Sequence, residues 1–407
     1  MRVLIADKFD DAGLDALEAR SFETFFEPDL TADTLAARVV QVNPDVLIVR
    51  STKVRSDVIE AGESLSLIVR AGAGYDTIDV ASASSAGVFV ANCPGRNALA
   101  VAELAWGLIL SCDRRIPDQA ADLRNGTWNK KEYSKASGLA GRTLGVVGLG
   151  TIGRAVVERG HAFGMNVTAW SRSLNDDVAQ ELGVSRCENL INLAKLSDVV
   201  SVNIAATDET RGLIDSKFID AMRPGATLIN TSRGSVLDED ALRKGIHEKG
   251  IRAGLDVFAT EPGSGTGTFE DNIVNEPGVY GTHHVGASTS QAQESTALEA
   301  VRIIASYRDT GQVPNCVNKA SPGRSAALLT VRHKNEPGVL ARVFDILSRA
   351  SLNVEEMENL IYEGGESACA RIQLGATPSI AEIEAIEREE TVLGVSVAGL
   401  ETVKSST

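Results

Sequence analysis

The chain has 407 residues, of which 43% are hydrophobic and 23% charged, and its formal net charge is −15. This length predicts two or three domains, and the acidic balance argues against nucleic acid as a partner, because binding to phosphates needs a basic surface. The five cysteines are scattered without a CxxC pair, which argues against zinc and against disulfides. With no long apolar stretch and no signal peptide, we expect a cytoplasmic protein without membrane or metal partners.

Short apolar runs alternate with amphipathic stretches through the N-terminal three quarters of the chain. The runs that are typical of buried strands are RVLIA, DVLIVR, LSLIVRAG, VFVANC, TLGVVGLG, NVTAW, VVSVNIA, ATLINTS and RAGLDVF. Such alternation indicates βαβ units and predicts parallel, doubly wound sheets. Two long helices without proline are predicted at 98–115 and 288–309.

A segment rich in Pro, Gly, Ser and Asn, GQVPNCVNKASPGRS, follows the second long helix and predicts a linker. Beyond it, the pattern predicts a small domain of βαββαβ order. The expected fold class is α/β, with two doubly wound parallel-sheet domains, one Rossmann-type and one flavodoxin-like and discontinuous, plus the small domain. The expected boundaries are 1–97 with 288–315, 98–287, a linker at 316–325, and 326–407.

The stretch TLGVVGLGTIGRAV contains Gly148, Gly150 and Gly153 at GxGxxG spacing between a predicted strand and a predicted helix. The first glycine permits a tight turn, the second lets the backbone approach a pyrophosphate, and the third lets the helix pack on the strand. N–H groups at the start of the helix, at Thr151 and Ile152, would face the anion. We therefore expect a nicotinamide dinucleotide at this turn.

The next strand, NVTAW, ends at Trp170 and is followed by Ser171 and Arg172. NAD sites usually carry an acidic residue here that accepts a hydrogen bond from the ribose 2′-hydroxyl. Arg172 either pairs with the 2′-phosphate of NADP, or faces solvent while NAD binds through Ser171 and backbone. The sequence leaves NAD and NADP both open.

Three later segments place polar residues where strands should end. They are INTSRGSVLDED with Thr231 and Arg233, RAGLDVFATEP with Asp256 and Glu261, and YGTHHVGAST with His283, His284 and Gly286. Ligands of open α/β sheets lie at the carboxyl ends of strands, and a charge inside an apolar run is costly unless it is used. Two neighbouring histidines alone are more typical of a loop than of a catalytic site, and Arg233 and Glu261 taken singly could be surface ion pairs.

The ordered set of glycines, Arg233, Asp256, Glu261 and His284 resembles the D-2-hydroxyacid dehydrogenase family, which has TPHIGAST where this chain has THHVGAST. The resemblance implies that His284 is the base, since imidazole titrates near neutrality. It implies that Glu261 stabilises the imidazolium and that Arg233 holds the substrate carboxylate. It also implies that Asp256 contacts the nicotinamide carboxamide. The cofactor-binding residues expected on the later strands are therefore Thr231, Asp256 and Gly286, and His283, at the usual proline, has no assigned role.

Leu-Ile-Val-Arg occurs twice, ending at Arg50 and Arg70. Two strand-end cations in an acidic chain suggest an anionic substrate, with a carboxylate alone or with a phosphate as well; two unrelated surface arginines are the alternative. Both segments resemble the phosphoglycerate dehydrogenases of the family, which implies oxidation of D-3-phosphoglycerate in the first step of serine biosynthesis. The candidate substrate contacts are Arg50, Ser51, Lys53, Arg70, Gly72, Ala73 and Arg233.

The stretch RHKNEPGVLARVFDILSRASLN resembles an ACT domain, a small amino-acid-binding module. The resemblance implies that His333, Asn335 and Asn353 bind an effector amino acid, L-serine or another, between paired domains. It also implies a homodimer or homotetramer, and the basic run at 125–135 matches a loop that in relatives reaches the neighbouring subunit, although a solvated loop is equally compatible. The alternative for the tail is a domain that only dimerises, with its loop serving as a helix start.

Three rival functions stay open. A glyoxylate or hydroxypyruvate reductase using NADPH is favoured by Ser171 and Arg172 and disfavoured by the tail. A non-catalytic nucleotide-sensing scaffold is disfavoured by the complete Arg, Glu and His set. An amino-acid sensor, in which the tail carries the function, would bind serine without any effect on a reaction rate.

Overall fold

The structure is a computed structural model that describes residues 1–262, 267–320 and 325–399. It divides into two compact units, Met1–Asn318 and Lys319–Thr407. Within the described ranges, no helix combines the length and the apolar character needed to cross a membrane.

The first unit starts with a parallel sheet. Its strands are β1 (Arg2–Ile5), β2 (Glu23–Phe26), β3 (Val46–Val49), β4 (Leu67–Arg70) and β5 (Phe89–Asn92), and its helices are α1 (Asp11–Glu18), α2 (Leu35–Val42), α3 (Ser56–Glu60) and α4 (Val80–Ser85). The order β2-β1-β3-β4-β5 is that of flavodoxin-like folds, with the switch point between β1 and β3. β3 is apolar and buried at every position, as expected of a central parallel strand covered on both faces.

A second parallel sheet follows, after α5 (Ala98–Arg114), α6 (Ile116–Arg124) and α7 (Lys130–Tyr133). Its strands are β6 (Thr143–Val147), β7 (Asn166–Trp170), β8 (Ser185–Arg186), β9 (Val199–Val202), β10 (Thr227–Asn230), β11 (Arg252–Leu255) and β12 (Val279–Gly281), and its helices are α8 (Thr151–Ala162), α9 (Asp176–Glu181), α10 (Leu190–Leu196), α11 (Ser216–Ala221) and α12 (Glu239–Lys249). The order is β12-β11-β10-β9-β6-β7-β8, so the switch point lies between β6 and β9.

The last helix of the first unit, α13 (Ser290–Thr310), returns to the first sheet. Thr289 caps its start by accepting a hydrogen bond from the Ala292 N–H at 3.2 Å. Ala300 and Ile303 pack with Ile5 and other residues of β1, β3 and β4 in one buried cluster. The first sheet is therefore covered by a helix that follows the second sheet in the chain.

The second unit is a four-stranded antiparallel sheet with two helices. Its elements are β13 (Ala327–Lys334), α14 (Val339–Arg349), β14 (Val354–Ile361), β15 (Ser367–Leu374), α15 (Ile380–Glu387) and β16 (Val392–Gly399). The strand order is β14-β15-β13-β16, which leaves β14 at an edge with most of its residues exposed. Val331 and Ile372 pack with Val343 and Leu347 of α14 to form the core of this unit.

This architecture confirms the predicted fold class, and α5 and α13 correspond to the two predicted long helices. The domain boundaries stay a prediction. The predicted linker 316–325 begins with residues of the first unit, because the Val317 N–H donates to the Val90 carbonyl at 2.8 Å and Asn318 accepts from the Val90 N–H at 2.9 Å. Of the rest of that linker, 321–324 lies outside the described residues, as does the end of the predicted small domain from 400 onward.

The contact between α8 and the turn after β6 tolerates only glycine. A Cβ on Gly153 would lie 2.0 Å from the Gly148 carbonyl oxygen. We expect Gly153→Ala to lower the free energy of unfolding by about 1–3 kcal/mol, because two backbones must separate. Gly107→Ala is the matched control: among the described residues no heavy atom lies within 4 Å of that Cβ, so the change should stabilise α5 by roughly 0.5–1 kcal/mol. Urea unfolding followed by tryptophan fluorescence measures both, and equal midpoints would contradict the packing argument.

Candidate active site

The predicted catalytic residues come together at the carboxyl ends of the second sheet. Arg233 follows β10, Glu261 follows β11, and His284 follows β12. His284 Nδ1 lies 2.7 Å from Glu261 Oε2, and the two side chains are 44% and 31% exposed. The ring therefore has its Nε2 available to a ligand while Nδ1 is held by a carboxylate.

Glu261 is fixed from the other side by backbone. Its Oε1 accepts a hydrogen bond from the Phe258 N–H at 2.9 Å. Burial raises the pKa of the Glu261 carboxyl, but the hydrogen bonds from His284 and Phe258, together with the charge of Arg233, outweigh burial and leave its pKa below the usual value. Glu261 is thus ionised at neutral pH and can accept a hydrogen bond from His284 Nδ1–H.

Asp256 shapes the loop that carries His284. Its side chain is buried, 1% exposed, and accepts hydrogen bonds from Thr282 Oγ1 at 2.6 Å and from the N–H groups of Val285 and Gly286, each at 2.9 Å. The Asp256 carbonyl also accepts from the His284 N–H at 2.8 Å. Asp256 and the Gly286 N–H are hydrogen-bonded to each other, and the contacts of both residues with a cofactor stay a prediction.

Arg233 connects the two sheets. Its Nη2 and Nε lie 3.3 and 3.5 Å from the two carboxylate oxygens of Asp76, which follows β4. Burial raises the pKa of Asp76, but the Arg233 guanidinium outweighs burial and holds that pKa below the usual value. The next residue, Gly234, touches the Glu261 segment, because a Cβ there would lie 2.0 Å from the Phe258 carbonyl oxygen. Arg233 and Glu261 are therefore positioned by one shared backbone contact.

Arg50 and Arg70 lie at the carboxyl ends of β3 and β4 in the first sheet. Burial, and then the charge of Arg233 and more weakly that of Arg50, lower the pKa of Arg70 to about 10. Among the described residues, the buried Arg70 Nε has no hydrogen-bond partner. Arg50 Nη1 donates to Gln293 Oε1 of α13 at 3.1 Å. The charges of Arg233 and Arg50 thus both act on Arg70, with Asp76 as a neighbouring carboxylate, and such a group of guanidinium groups is suited to an anion.

The remaining predicted substrate residues are placed around these arginines. One Asp7 oxygen accepts the N–H groups of Arg50, Ser51 and Thr52 at 2.7, 3.0 and 3.0 Å, so it folds the strand-end loop. Ser51 and Lys53 are exposed on that loop. The Gly72 N–H donates to the Arg70 carbonyl at 2.8 Å, and the Ala73 carbonyl accepts from the Asn92 side chain.

The glycine turn of the second sheet fits a dinucleotide. Gly148 has a left-handed φ of 90°, and Gly150, just before α8, has no heavy atom of the described residues within 4 Å of a Cβ built on it. The first turn of α8, from Thr151, supplies N–H groups and a positive dipole. Among the residues that the structure describes, no hydrogen-bond partner reaches the buried Thr231 Oγ1 or the buried Asn203 Oδ1. An open cradle with two orphaned oxygens is suited to a polar cofactor.

Ser171 and Arg172 follow β7, beside this turn, as predicted. Arg172 Nη1 donates to Glu209 Oε2 at 2.6 Å. The guanidinium, for which the sequence left a 2′-phosphate or solvent open, therefore has a carboxylate partner within the chain.

The predicted regulatory residues of the second unit do not form one site within a single copy. His333 is 2% exposed, and its ring nitrogens face the Lys334 carbonyl at 2.8 Å and Asn359 Oδ1 at 3.2 Å. Asn335 donates to the Gly365 carbonyl beyond one end of β15, whereas Asn353 lies at the other end. β13 has eight residues, so these asparagines are separated by a distance on the order of 25 Å.

Sequence reasoning missed four polar residues of the site: Asp7, Asp76, Glu209 and Gln293. Asp7 and Asp76 each follow a predicted strand, so strand-end position was an available signal for both. Glu209 and Gln293 lie on a loop and a helix whose partners are remote in sequence, and the local pattern held no signal for them.

A family model described as the NAD binding domain of D-isomer specific 2-hydroxyacid dehydrogenases matches residues 106–286. The chain is 38% identical over 297 residues to a D-3-phosphoglycerate dehydrogenase of Methanocaldococcus jannaschii, covering 72% of this chain and 55% of that protein. It is 39% identical over 305 residues to a hydroxypyruvate reductase of Thermotoga maritima, covering 74% of this chain and 97% of that protein.

Among solved structures, the NADPH-dependent glyoxylate/hydroxypyruvate reductase of Sinorhizobium meliloti in complex with NADP and malonate is similar at 29% identity and a TM-score of 0.67, with 78% of this chain and 96% of that chain covered. The chain spans little more than half the length of the D-3-phosphoglycerate dehydrogenases it matches. It spans 97% of the hydroxypyruvate reductase of Thermotoga maritima and is 39% identical to it. The chain therefore belongs to the D-isomer specific 2-hydroxyacid dehydrogenase family.

Proposed function

We propose that the protein oxidises D-3-phosphoglycerate to 3-phosphohydroxypyruvate with a nicotinamide cofactor in the cytoplasm, the first step of serine biosynthesis. The observation that carries this proposal is that Arg70 and Arg233 both contact the 72–74 segment, where a Cβ on Gly72 would lie 1.4 Å from Arg70 Nη1 and a Cβ on Gly74 would lie 2.1 Å from Arg233 Nη2. The charge of Arg50 also acts on Arg70, and the charge of Arg233 acts on Glu261. A substrate with a phosphate and a carboxylate needs several cations, whereas a simple hydroxy acid needs one.

Each residue has a chemical task in this proposal. Arg233 holds the substrate carboxylate, and Arg50 and Arg70 face the phosphate. The neutral His284 ring takes the hydroxyl proton at Nε2, because Nδ1 is held by Glu261. Glu261 balances the positive charge that the ring gains. A nicotinamide held at the glycine turn would supply the acceptor for the hydride of carbon 2 as the alcohol becomes a ketone. His284 would keep the hydroxyl proton for release to solvent.

The relatives support two substrates. Several matches carry the name D-3-phosphoglycerate dehydrogenase, and others are named hydroxypyruvate or glyoxylate reductase. The second candidate function is therefore reduction of hydroxypyruvate or glyoxylate. Asp76 favours it, because this carboxylate offsets part of the positive charge of the cluster.

The substrate assay separates these candidates. We expect D-3-phosphoglycerate-dependent reduction of the nicotinamide, followed by absorbance. In Arg70→Met, kcat/KM for D-3-phosphoglycerate should fall roughly a hundredfold, because a buried charge-assisted contact to the phosphate is lost. Reduction of hydroxypyruvate, which has no phosphate, should fall much less. The unfolding midpoint serves as the control. It should not drop, because Arg70 is half-buried beside the like charges of Arg233 and Arg50, and removing its charge relieves their repulsion.

Two outcomes would count against this assignment. Equal losses for both substrates would show that Arg70 does not read the phosphate. Turnover of hydroxypyruvate or glyoxylate with none of D-3-phosphoglycerate would move the function to the second candidate.

The His284–Glu261 pair predicts a pH effect. In Glu261→Gln, the imidazolium loses its carboxylate partner and becomes less stable relative to the neutral ring. The acid limb of the pH profile of kcat/KM should therefore move to lower pH, and kcat should fall by about ten- to a hundredfold because the ring is no longer oriented.

The chain offers a matched control for this experiment. Glu276 contacts His247 Nε2 at 2.8 Å outside the catalytic set, so Glu276→Gln removes the same kind of partner and should leave the profile in place. His284→Ala should abolish turnover while NADH binding persists. An unmoved acid limb in Glu261→Gln would contradict the assigned role of the pair.

We further propose that L-serine, bound by the second unit, regulates the rate. The support is geometric: antiparallel pairing of β14 edges from two copies would bring Asn353 of one copy to the end of the sheet that carries Asn335 of the other. The exposed edge strand is suited to such pairing. A homodimer, or a tetramer built from it, is thus part of the proposal.

Serine should lower the rate of the full-length protein, and D-serine should not. In Asn353→Ala, the ratio of rates with and without L-serine should return to about one, because the site loses an amide that orients the amino acid. Rates followed by absorbance, with sedimentation to record the oligomer, measure both. Equal effects of the two enantiomers, or persistence of the effect in the variant, would refute the proposed site.

A further inference from the structure

We propose that Glu209 supplies the carboxylate that selects NAD over NADP. The inference rests on the proposed use of a nicotinamide cofactor and decides which of the two dinucleotides is preferred. It answers the question raised by Ser171 and Arg172, where an acidic residue would ordinarily follow the strand.

The end of β7 lies beside the glycine turn. The Gly148 N–H donates to the Trp170 carbonyl at 2.8 Å, so the glycine turn is joined directly to the last residue of β7. Ser171 and Arg172 follow at once. The cofactor cradle and the two residues that should distinguish its ribose are therefore adjacent.

The loop after β9 borders the same turn. A Cβ on Gly148 would lie 2.5 Å from the Asn203 carbonyl oxygen and 2.7 Å from Ile204 Cγ2. The chain then continues through the loop to Glu209. The glycine turn is thus flanked by the β7 end on one side and by the start of the Glu209 loop on the other.

The segment after β7 and the loop after β9 are joined by an ion pair. Glu209 Oε2 lies 2.6 Å from Arg172 Nη1, and the two side chains are 75% and 72% exposed. An ion pair this exposed adds little to stability. Its effect is instead to place a carboxylate, from a different strand, beside the position where the usual acidic residue is missing.

The chemistry of that carboxylate favours one dinucleotide. Ribose hydroxyls donate hydrogen bonds, and Glu209 accepts them. A 2′-phosphate would have to take Arg172 away from Glu209 and would then lie close to a second negative charge. Arg172 is therefore already neutralised within the chain and does not by itself make a site for NADP.

The test is binding, measured as nucleotide fluorescence on titration of the full-length protein with NADH and with NADPH at fixed ionic strength. The wild type should bind NADH more tightly. In Glu209→Gln, the Kd for NADPH should fall about tenfold and the Kd for NADH should rise several-fold, because the repulsive charge and the acceptor disappear together. In the double variant with Arg172→Gln, the gain for NADPH should be lost, since no cation remains.

Asp208→Asn is the matched control, because it removes one negative charge from the adjacent position, which is also exposed. It should leave the ratio of the two Kd values unchanged. The same shift in Asp208→Asn and Glu209→Gln, or no shift in either, would overturn the role of Glu209 while NADH binding keeps the proposed function standing. Failure of the wild type to bind either dinucleotide would overturn both proposals.

Discussion

The Asp256 carboxylate is the interaction on which the catalytic arrangement depends. It is buried and accepts three hydrogen bonds from the short loop that carries His284. His284 itself has a left-handed φ of 51°, which is uncommon for a residue with a side chain. A buried carboxylate costs free energy unless its oxygens are satisfied, and here that cost is offset by fixing a strained backbone. The loop cannot relax without leaving the charge unpaired, so the ring stays next to Glu261.

The first sheet uses the same device on a smaller scale. Asp7 follows β1 at the switch point and gathers three successive N–H groups after β3. In both sheets, a carboxylate from one strand end therefore folds the loop of a neighbour. What the two loops present is different: the Asp256 loop presents a proton acceptor, and the Asp7 loop presents Arg50. Parallel strands bring their carboxyl ends to one edge, which is why one residue type can organise both sites.

The arginines at the carboxyl ends of the first sheet are placed close to like charges. Arg70 is half-buried, and burial together with the charges of Arg233 and Arg50 lowers its pKa to about 10. Placing a cation beside other cations opposes folding. Such unfavourable placement is typical of functional sites, where the ligand provides the missing charge. Asp76 satisfies only part of this need, because it pairs with Arg233 and not with all three.

The sequence was a good guide to strand ends and a poor one to contacts between them. The glycine turn, Arg233 and Glu261 follow buried parallel strands, and each of these strands is a continuous apolar run whose end can be read from the sequence. His284 follows β12 and was identified from its resemblance to the family motif. β2, β8 and β12 were missed because they are edge strands of two to four residues with little apolar pattern. Asp76 and Glu209 were missed for another reason: their partners lie 157 and 37 residues away, and a local pattern does not encode such distances. The hydrogen bonds that Asp256 accepts from the loop that carries His284 were not foreseen, because a buried acid at a strand end predicts a use for the charge and does not say whether its partner is a ligand or the backbone.

The Asp76–Arg233 ion pair joins the two sheets of the first unit, because Asp76 follows a strand of the first sheet and Arg233 follows a strand of the second. His284, Glu261 and Arg233 belong to the second sheet. Gly234, next to Arg233, packs against the backbone that precedes Glu261. Arg50, Arg70 and Asp76 belong to the first sheet. In the proposed function, the substrate carboxylate would take Arg233 from Asp76 and remove one ion pair between the sheets, while the phosphate would contact the arginines of the first sheet. Binding of that substrate and the contact between the sheets would then be linked, and such linkage is reciprocal: whatever brings the sheets together would also change the affinity for the anion.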